Sequence, residues 1–343
     1  MSKTTLLALC ALLCAVLLPS CGDKQASNPG AQRKLRVAYV TNGVDPFWVL
    51  AEAGAKSAAQ RLGVDCDVLM PPHGISDQKQ MLEDAVTRGM DGIAVSPIDH
   101  ENQTPQLDKI AATVPLITTD SDAPKSKRLC FVGMDNYDAG RMVGDAVRTA
   151  LPKGGKVMLF IGRLEQDNAR ARVIGTIDAI LGRDRDDARA LDPDQKLEGK
   201  GFTILGVRTD QFDKSTAKSN AADVLTAHPD IAAMVGLFAY NPPAILEALR
   251  QAGKLGAVKV IGFDEQDPTL QGIVDGHVDA TIVQNPYEYG VKSVEILVAL
   301  AKGDRSVLPK GGNLMIPARR IDKANVEAFW SEKKQRLGTK DGR

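Results

Sequence analysis

The chain has 343 residues, of which 43% are hydrophobic and 25% are charged, so it is long enough for a sizeable core and for two domains. Its 43 Lys and Arg residues balance its 43 Asp and Glu residues, and the sequence contains no long basic block. This balance argues against nucleic acid as a partner.

The N-terminus has the pattern of an export signal. Lys3 precedes an apolar run over residues 6–18, which is shorter than the ~20 residues that span a bilayer. Small residues then lead to Cys21, and this string resembles a bacterial lipoprotein lipobox. The resemblance implies a signal peptide over residues 1–20, cleavage before Cys21 and acylation of its thiol. An ordinary signal peptide or a single-pass anchor is the alternative.

The chain turns polar directly after Cys21, so we interpret residues 21–34 as a flexible tether. Beyond it, no apolar stretch approaches the length of a membrane span. Cys66 and Cys130 lie in apolar, strand-like segments, and two cysteines do not make a disulfide framework. We expect buried free thiols, with one bridge between them as the alternative.

From Leu35 onward, short runs of Val, Ile and Leu alternate with helix-like stretches. The first series of runs covers 35–41, 64–70, 92–97, 115–120 and 129–134, and the second covers 156–162, 202–207, 231–237, 258–264 and 279–284. Continuous apolar strands separated by amphipathic helices indicate parallel sheets covered on both faces. The pattern therefore predicts an α/β protein with two doubly wound, Rossmann-like lobes.

Some helix boundaries can be predicted from capping residues. Asp45 before Pro46 supplies an N-cap and a first-turn proline, and Gly63 closes that helix. The sequence from Asn241 to Gly253 repeats the pattern. Residues 183–201 break the rhythm with charge, proline and glycine, and we predict a surface insertion there.

Polar and aromatic side chains follow most of the predicted strands. In open parallel sheets, ligands bind beyond the carboxyl ends of the strands. Asn, Asp, Gln and Arg can each hold neighbouring sugar hydroxyls, and the apolar C–H face of a sugar lies well against an aromatic ring. The strand ends therefore predict a sugar pocket that needs no catalysis.

Four segments carry a family resemblance: DPFW at 45–48, DNARARVIG at 167–175, VIGFDEQD at 260–267 and IVQNPYEYG at 282–290. In this order and spacing, the chain resembles the periplasmic sugar-binding proteins of ABC transporters. The likeness is to the ribose and galactose branch of the type I periplasmic binding proteins, and it runs from Leu35 to about Arg320.

The resemblance implies a sugar site between two lobes. Aromatic rings against the sugar, carboxylate acceptors, an arginine donor and amides would form it: Asp45, Phe47, Trp48, Ser96, Asp120, Asn136, Arg170, Phe212, Asn241, Asp264 and Gln284. Taken singly, these residues could be helix caps, core aromatics or surface ion pairs. Their joint occurrence at successive strand ends favours the sugar site.

Three positions depart from the ribose-binding pattern. Asp45 stands where ribose binders usually carry Asn, Ser96 stands where Asn is expected, and Ser121 replaces an arginine. The pocket would then hold Asp45, Asp120 and Asp264 against Arg170. A hexose or a modified sugar therefore fits the pattern at least as well as ribose.

The resemblance also implies the domain organisation. The N-terminal lobe would comprise residues 35–134 and 285–312, and the C-terminal lobe residues 135–284 and 313–330, with a polar tail at 331–343. Three crossings would join the lobes, and sugar binding would close the hinge. The closed monomer would deliver its sugar to an ABC permease from the periplasmic face of a membrane, held there by its lipid anchor.

Alternative functions have less support in the sequence. Neither G-x-G-x-x-G after the first strand, nor a P-loop, nor G-x-S-x-G occurs, and the histidines have no ligand spacing. We therefore expect a non-enzyme without cofactor or metal. A sugar sensor for a chemoreceptor stays open, as does an exported sugar hydrolase that uses two of the site carboxylates. A repressor of the lactose type would need a helix-turn-helix in place of the export signal.

Overall fold

The computed structural model describes residues 33–338. The signal, Cys21 and most of the tether lie outside the described residues. Among the described residues, no helix combines the length and the apolar character that a membrane span requires.

Within residues 33–338 the chain forms thirteen strands and ten α-helices. The strands are β1 (Arg36–Val40), β2 (Asp65–Leu69), β3 (Gly92–Val95), β4 (Leu116–Thr119), β5 (Phe131–Gly133), β6 (Gly155–Ile161), β7 (Leu197–Gly199), β8 (Phe202–Thr209), β9 (Ala233–Gly236), β10 (Lys259–Phe263), β11 (Ala280–Val283), β12 (Asn313–Met315) and β13 (Arg319–Asp322). The helices are α1 (Pro46–Leu62), α2 (Ile75–Thr87), α3 (His100–Ala111), α4 (Asn136–Ala150), α5 (Asp167–Leu181), α6 (Lys214–Ala227), α7 (Asn241–Gln251), α8 (Asp267–Val274), α9 (Pro286–Ala301) and α10 (Val326–Arg336). All ten strands predicted from the sequence are present.

The strands form two sheets. The first sheet has the order β12-β5-β4-β3-β1-β2, and the second has the order β13-β11-β10-β9-β6-β8-β7. In the second sheet, the strands β8, β6, β9, β10 and β11 repeat the order of β2, β1, β3, β4 and β5 in the first, and all these neighbours pair in parallel. The predicted pair of doubly wound lobes is confirmed.

Three short strands were missing from the sequence prediction. β7 lies at the end of the predicted insertion and pairs antiparallel with β8, and β13 pairs antiparallel with β11. β12 joins the first sheet, because Asn313 pairs with Phe131 of β5. This corrects the predicted lobe boundary at residue 312, since the chain stays with the first sheet through Met315.

The chain passes between the two sheets at three places. The crossings follow β5, β11 and β12 and occupy residues near 134–135, 284–285 and 316–318. A fold whose halves are joined only by short crossings can hinge there.

Each lobe has one helix pair in very close backbone contact. A Cβ atom on Gly54 of α1 would lie 1.9 Å from the Tyr287 carbonyl oxygen at the start of α9, and one on Gly290 would lie 2.1 Å from the Ala51 oxygen. In the second lobe, a Cβ on Gly140 of α4 would lie 2.2 Å from the Arg172 oxygen of α5. Glycine is required at these positions because any side chain would force the helices apart.

The predicted helix ends are partly confirmed. The Asp45 side chain caps α1 by accepting from Phe47 N, and Gly63 ends the helix with φ 67°. Asn241 is instead the first residue of α7 and does not cap it. Its side chain is used elsewhere, as described below.

The two cysteines in the described chain, Cys66 and Cys130, are buried and free. Burial raises the pKa of the Cys66 thiol to about 12 and that of Cys130 to about 11. The expected buried free thiols are confirmed, and the alternative of a bridge between them is wrong.

Candidate functional site

A cavity of about 550 Å³ lies at the carboxyl ends of both sheets. Its walls contain residues from the first lobe (Asn42, Gly43, Val44, Asp45, Phe47, Trp48, Pro71, Pro72, Gly74, Ile98 and Asp120) and from the second (Arg163, Gln166, Asn168, Arg172, Phe212, Lys214, Phe238, Ala239, Tyr240 and Asp264), with Gln284 at a crossing. The strand order reverses next to β1 in the first sheet and next to β6 in the second, and the loops after these two strands line the cavity. This is where open α/β sheets bind ligands.

Two carboxylates lie at equivalent places in the two lobes. Asp120 directly follows β4 and Asp264 directly follows β10, and both have the left-handed φ of 62°. Asp120 N donates to the Val132 oxygen at 2.9 Å, and Asp264 N donates to the Ile282 oxygen at 2.8 Å. The neighbouring strand therefore fixes each aspartate in a backbone conformation that Asp tolerates better than most residues.

Arg172 reaches the same cavity from α5. Its side chain is buried, and its terminal nitrogens donate to the Leu237 oxygen at 2.7 Å and to Asn136 Oδ1 at 2.8 Å. Its Nε has no hydrogen-bond partner in the described protein. Burial lowers the pKa of Arg172, and the charges of Asp264 and Asp120 oppose this effect. The guanidinium is thus fixed by the second lobe close to both carboxylates.

Burial dominates the electrostatics of the cavity floor. It raises the pKa of Asp120 to about 6, although Arg172 and the Ser96 hydroxyl act in the opposite direction. Burial also raises the pKa of Asp264 and of its neighbour Glu265 well above the usual range. Asp120 and Asp264 line the cavity, and each accepts one side-chain hydrogen bond, from Ser96 and from Gln284. Their remaining acceptor capacity suits a ligand that carries hydrogen-bond donors.

A chain of hydrogen bonds fixes the wall of the first lobe. Trp48 Nε1 donates to Asn42 Oδ1 at 3.1 Å, and Asn42 Nδ2 donates to Ser96 Oγ at 3.2 Å. Ser96 Oγ in turn donates to Asp120 Oδ2 at 3.1 Å. The indole ring and one carboxylate oxygen of Asp120 are therefore held in place by the same three bonds.

Aromatic rings line both sides of the cavity. In the first lobe, Phe47 packs edge-on against Trp48 with ring centroids 4.9 Å apart. In the second lobe, Phe212 and Phe238 stack with centroids 5.6 Å apart and planes at 15°. Arg163 lies over the Phe212 ring at 5.0 Å. The cavity thus combines apolar ring faces with buried charged groups.

The sequence matches the periplasmic binding protein domain over residues 37–305, which is well over half of the chain. The chain belongs to the periplasmic binding protein family. Membership implies a location outside the cytoplasm, and the family consists of binding proteins and not of enzymes. The prediction of a non-enzymatic type I binding protein is confirmed.

Similar proteins agree with this assignment. The ribose import binding protein of Salmonella typhimurium is 28% identical over 298 residues, which cover 85% of this chain and 93% of the relative. The D-ribose/D-allose-binding protein of Pseudomonas aeruginosa is 24% identical over 325 residues, covering 90% and 97%. The crystal structure of a glucose-galactose binding protein from Geobacillus stearothermophilus is 27% identical, with a TM-score of 0.75 over 86% of this chain and 99% of that chain.

Seven of the eleven predicted site residues line the cavity of this periplasmic binding protein: Asp45, Phe47, Trp48, Asp120, Phe212, Asp264 and Gln284. Ser96 and Asn136 lie behind the lining, where they bond to Asp120 and Arg172. Asn241 is also behind it and bonds to Asp210. The predicted role of these three residues as direct sugar contacts is therefore not supported by their positions.

Arg172, and not the predicted Arg170, lines the cavity. Two residues along a helix are about 200° apart around its axis, so the two side chains leave α5 in nearly opposite directions. Arg172 shares the buried stripe of Ala169, Val173 and Thr176, whereas Arg170 is only half-buried and does not line the cavity. The 3–4 spacing of this stripe is the sequence signal that could have identified Arg172.

Other lining residues were also missing from the prediction. Asn42, Arg163 and Tyr240 follow strands β1, β6 and β9 and could have been chosen by the strand-end rule alone. Phe238 lies two residues beyond β9, and the apolar run around it would predict a core residue. No group of acidic, His and Cys side chains within residues 33–338 is arranged to hold a metal ion.

Proposed function

We propose that this periplasmic binding protein is the substrate-binding component of an ABC sugar importer and captures a monosaccharide between its two lobes. The observation that carries the proposal is the pair Asp120 and Asp264, one from each lobe, whose charges both act on the buried Arg172. Hydroxyl groups that bridge both carboxylates would hold the lobes together.

The aromatic rings suit the other half of a sugar. Phe47 from the first lobe and Phe212 from the second provide apolar faces at the cavity wall, against which the C–H face of a pyranose or furanose would pack. Ser96 and Ser121 are shorter than the Asn and Arg of the ribose-binding pattern at these positions. We therefore include hexoses and modified sugars with the pentoses as ligands.

Thermal unfolding in the presence of sugars tests the proposal. The purified protein would be melted with pentoses, hexoses, amino sugars and polyols. A sugar at ~1,000 times its Kd should add about 4 kcal/mol to the free energy of unfolding. Asp120→Asn and Asp264→Asn should each lower the affinity for that sugar by about 10- to 100-fold, since each removes a charge-assisted hydrogen bond.

Asp275→Asn, a change at the exposed residue that follows α8 and does not line the cavity, serves as the matched control and should bind like the wild type. If no sugar in the panel changes the melting temperature of the wild type, a sugar-binding function is wrong.

We further propose that the protein acts as a monomer anchored through acylated Cys21 at the periplasmic face of a membrane. The apolar run at 6–18, followed by small residues and Cys21, supports this proposal. Cys21→Ser should move the protein from the membrane fraction to the soluble fraction of the periplasm. An unchanged membrane fraction would argue for a different anchor. Transport would be separated from sensing by measuring sugar uptake in a strain that lacks this chain.

A further inference from the structure

Asp210 is a buried carboxylate that the sugar site described above does not use. It follows β8, is only 1% exposed and does not line the cavity. It accepts three hydrogen bonds: from the Tyr240 hydroxyl, from Asn241 Nδ2 at 2.8 Å and from Phe212 N at 3.0 Å. A buried carboxylate with this many donors is well placed to organise the groups around it.

The donors belong to two separate loops. Gln211 and Phe212 both have positive φ, 56° and 65°, which costs energy for residues with a side chain and persists only where neighbours enforce it. The bond from Phe212 N to Asp210 supplies that enforcement. In the other loop, Asn241 Oδ1 accepts from Phe238 N at 3.0 Å. One carboxylate therefore fixes the backbone of Phe212 directly and that of Phe238 through Asn241.

These two loops carry the stacked pair Phe212 and Phe238, which we call the aromatic platform. Phe212 is 42% exposed, so little core packing holds it. Tyr240 lines the cavity with its ring, but its hydroxyl is committed to Asp210. Burial raises the pKa of Asp210, and the three donors oppose this effect. The hydrogen bonds of Asp210 therefore position the aromatic rings, and other groups bind the sugar.

We propose that Asp210 and Asn241 form a positioning pair that holds the aromatic platform in its sugar-binding arrangement before the sugar arrives. The proposal rests on the proposed sugar-binding function. A platform that is already ordered loses less side-chain and loop entropy on binding, and its order therefore increases affinity.

Exchanging the two side chains is the decisive experiment. Asp210→Asn alone places an amide group against Asn241 Nδ2, so one of the bonds is lost and the sugar found in the thermal screen should bind about 10-fold more weakly. The double variant Asp210→Asn/Asn241→Asp restores a donor opposite an acceptor at every bond of the network. It should return the affinity to within about 3-fold of the wild type.

Two further variants separate positioning from stability. Asp279→Asn is a control, because Asp279 is a half-buried carboxylate of the same lobe that accepts from Lys259 Nζ at 2.7 Å, precedes β11 and does not line the cavity. It should lower the melting temperature of the ligand-free protein and leave the sugar Kd unchanged. Tyr240→Phe removes one donor to Asp210 and should weaken binding by about 3-fold.

Isothermal titration of each variant gives the outcomes. If Asp210→Asn and Tyr240→Phe bind sugar like the wild type, the positioning role is wrong while the sugar-binding function stands. A folded exchange variant that stays as weak as Asp210→Asn also overturns it. If Asp210→Asn does not fold, Tyr240→Phe and the exchange variant decide. A wild type that binds no sugar removes both proposals.

Discussion

At the residue scale, the cavity is defined by a few side chains whose backbone is constrained. Asp120, Phe212 and Asp264 all have φ between 62° and 65°. Each follows the end of a strand and is held by a hydrogen bond from its own backbone N–H, to a neighbouring strand or to Asp210. Unusual backbone conformations that the surroundings enforce are typical of binding sites. This constraint fixes the side-chain directions before any ligand is bound.

The raised pKa of Asp120 predicts how stability depends on pH. Its pKa rises from 3.8 to about 6 on folding, so the folded protein binds the proton more tightly than the unfolded chain. This contribution therefore increases the stability of the ligand-free protein as pH falls from about 6 towards about 4, and Asp264 and Glu265 act in the same direction. Urea unfolding at a series of pH values, for the wild type and Asp120→Asn, measures the effect.

The variant should show a flatter pH dependence than the wild type over that range. Sugar affinity should change in the opposite direction, because the carboxylate form of Asp120 is the better acceptor for hydroxyl groups. A wild type and variant with the same pH dependence of stability would contradict the assignment.

At the element scale, helix ends and helix contacts place the functional groups. The N-termini of α1, α5, α6 and α7 all lie at the cavity, because each follows a strand of the same parallel series. Arg172 is positioned by the close contact of α4 with α5, and Trp48 by the first turn of α1. Small changes in these contacts should therefore alter sugar affinity.

Asp45 has a capping role that can be separated from a ligand role. Asp45→Ala removes the side-chain acceptor of Phe47 N and should lower the free energy of unfolding by about 1 kcal/mol. Asp45→Asn keeps an acceptor and should unfold within about 0.5 kcal/mol of the wild type. If Asp45 also binds sugar, both variants should lose affinity in titrations. A destabilised Asp45→Asn would contradict the capping argument.

Gly140 tests the coupling between helix packing and Arg172. A methyl group there would lie 2.2 Å from the Arg172 backbone oxygen, so Gly140→Ala must move α5. We expect a loss of about 1–3 kcal/mol in the free energy of unfolding and weaker sugar binding. Gly199→Ala is the control, because its nearest neighbour is a Leu181 side-chain atom at 3.4 Å. Equal stability of the two variants in urea unfolding would show that the helices yield without cost.

At the scale of the whole molecule, two sheets of the same strand order meet at one cavity and are joined by three crossings. Arg336 at the end of α10 donates to Asn285 Oδ1 at 3.0 Å, so the C-terminal helix holds the second crossing. This arrangement permits the lobes to move as units about the crossings, as the proposed capture of a sugar requires.

Sugar binding should make the molecule more compact. Contacts that form with both Asp120 and Asp264 at once favour the arrangement in which the lobes are closest. Small-angle X-ray scattering should show a smaller radius of gyration with saturating sugar than without it. Asp264→Asn at the same sugar concentration should stay nearer the ligand-free value. A radius that does not change in the wild type would contradict hinge closure on binding.

The sequence by itself determined ten of the thirteen described strands, the two lobes and seven of the 22 residues that line the cavity. Buried parallel strands are continuous apolar runs, and their carboxyl ends meet at one edge of the sheet. Asp120, Asp264 and Phe47 could therefore be predicted as site residues from their places directly after such runs. The short strands β7, β12 and β13 were not predicted because edge strands are brief and only partly buried.

Only the tertiary structure decided which polar groups face the ligand. The apolar spacing places Arg172 on the buried side of α5, and the packing of the lobe then decides that its guanidinium reaches the cavity. Asn241 and Tyr240 are neighbours in sequence, yet hydrogen bonds to Asp210, some thirty residues earlier, turn the amide away from the cavity and leave the Tyr240 ring in its wall. Strand order is encoded locally by hydrophobicity, whereas side-chain direction depends on hydrogen-bond partners that folding alone brings together.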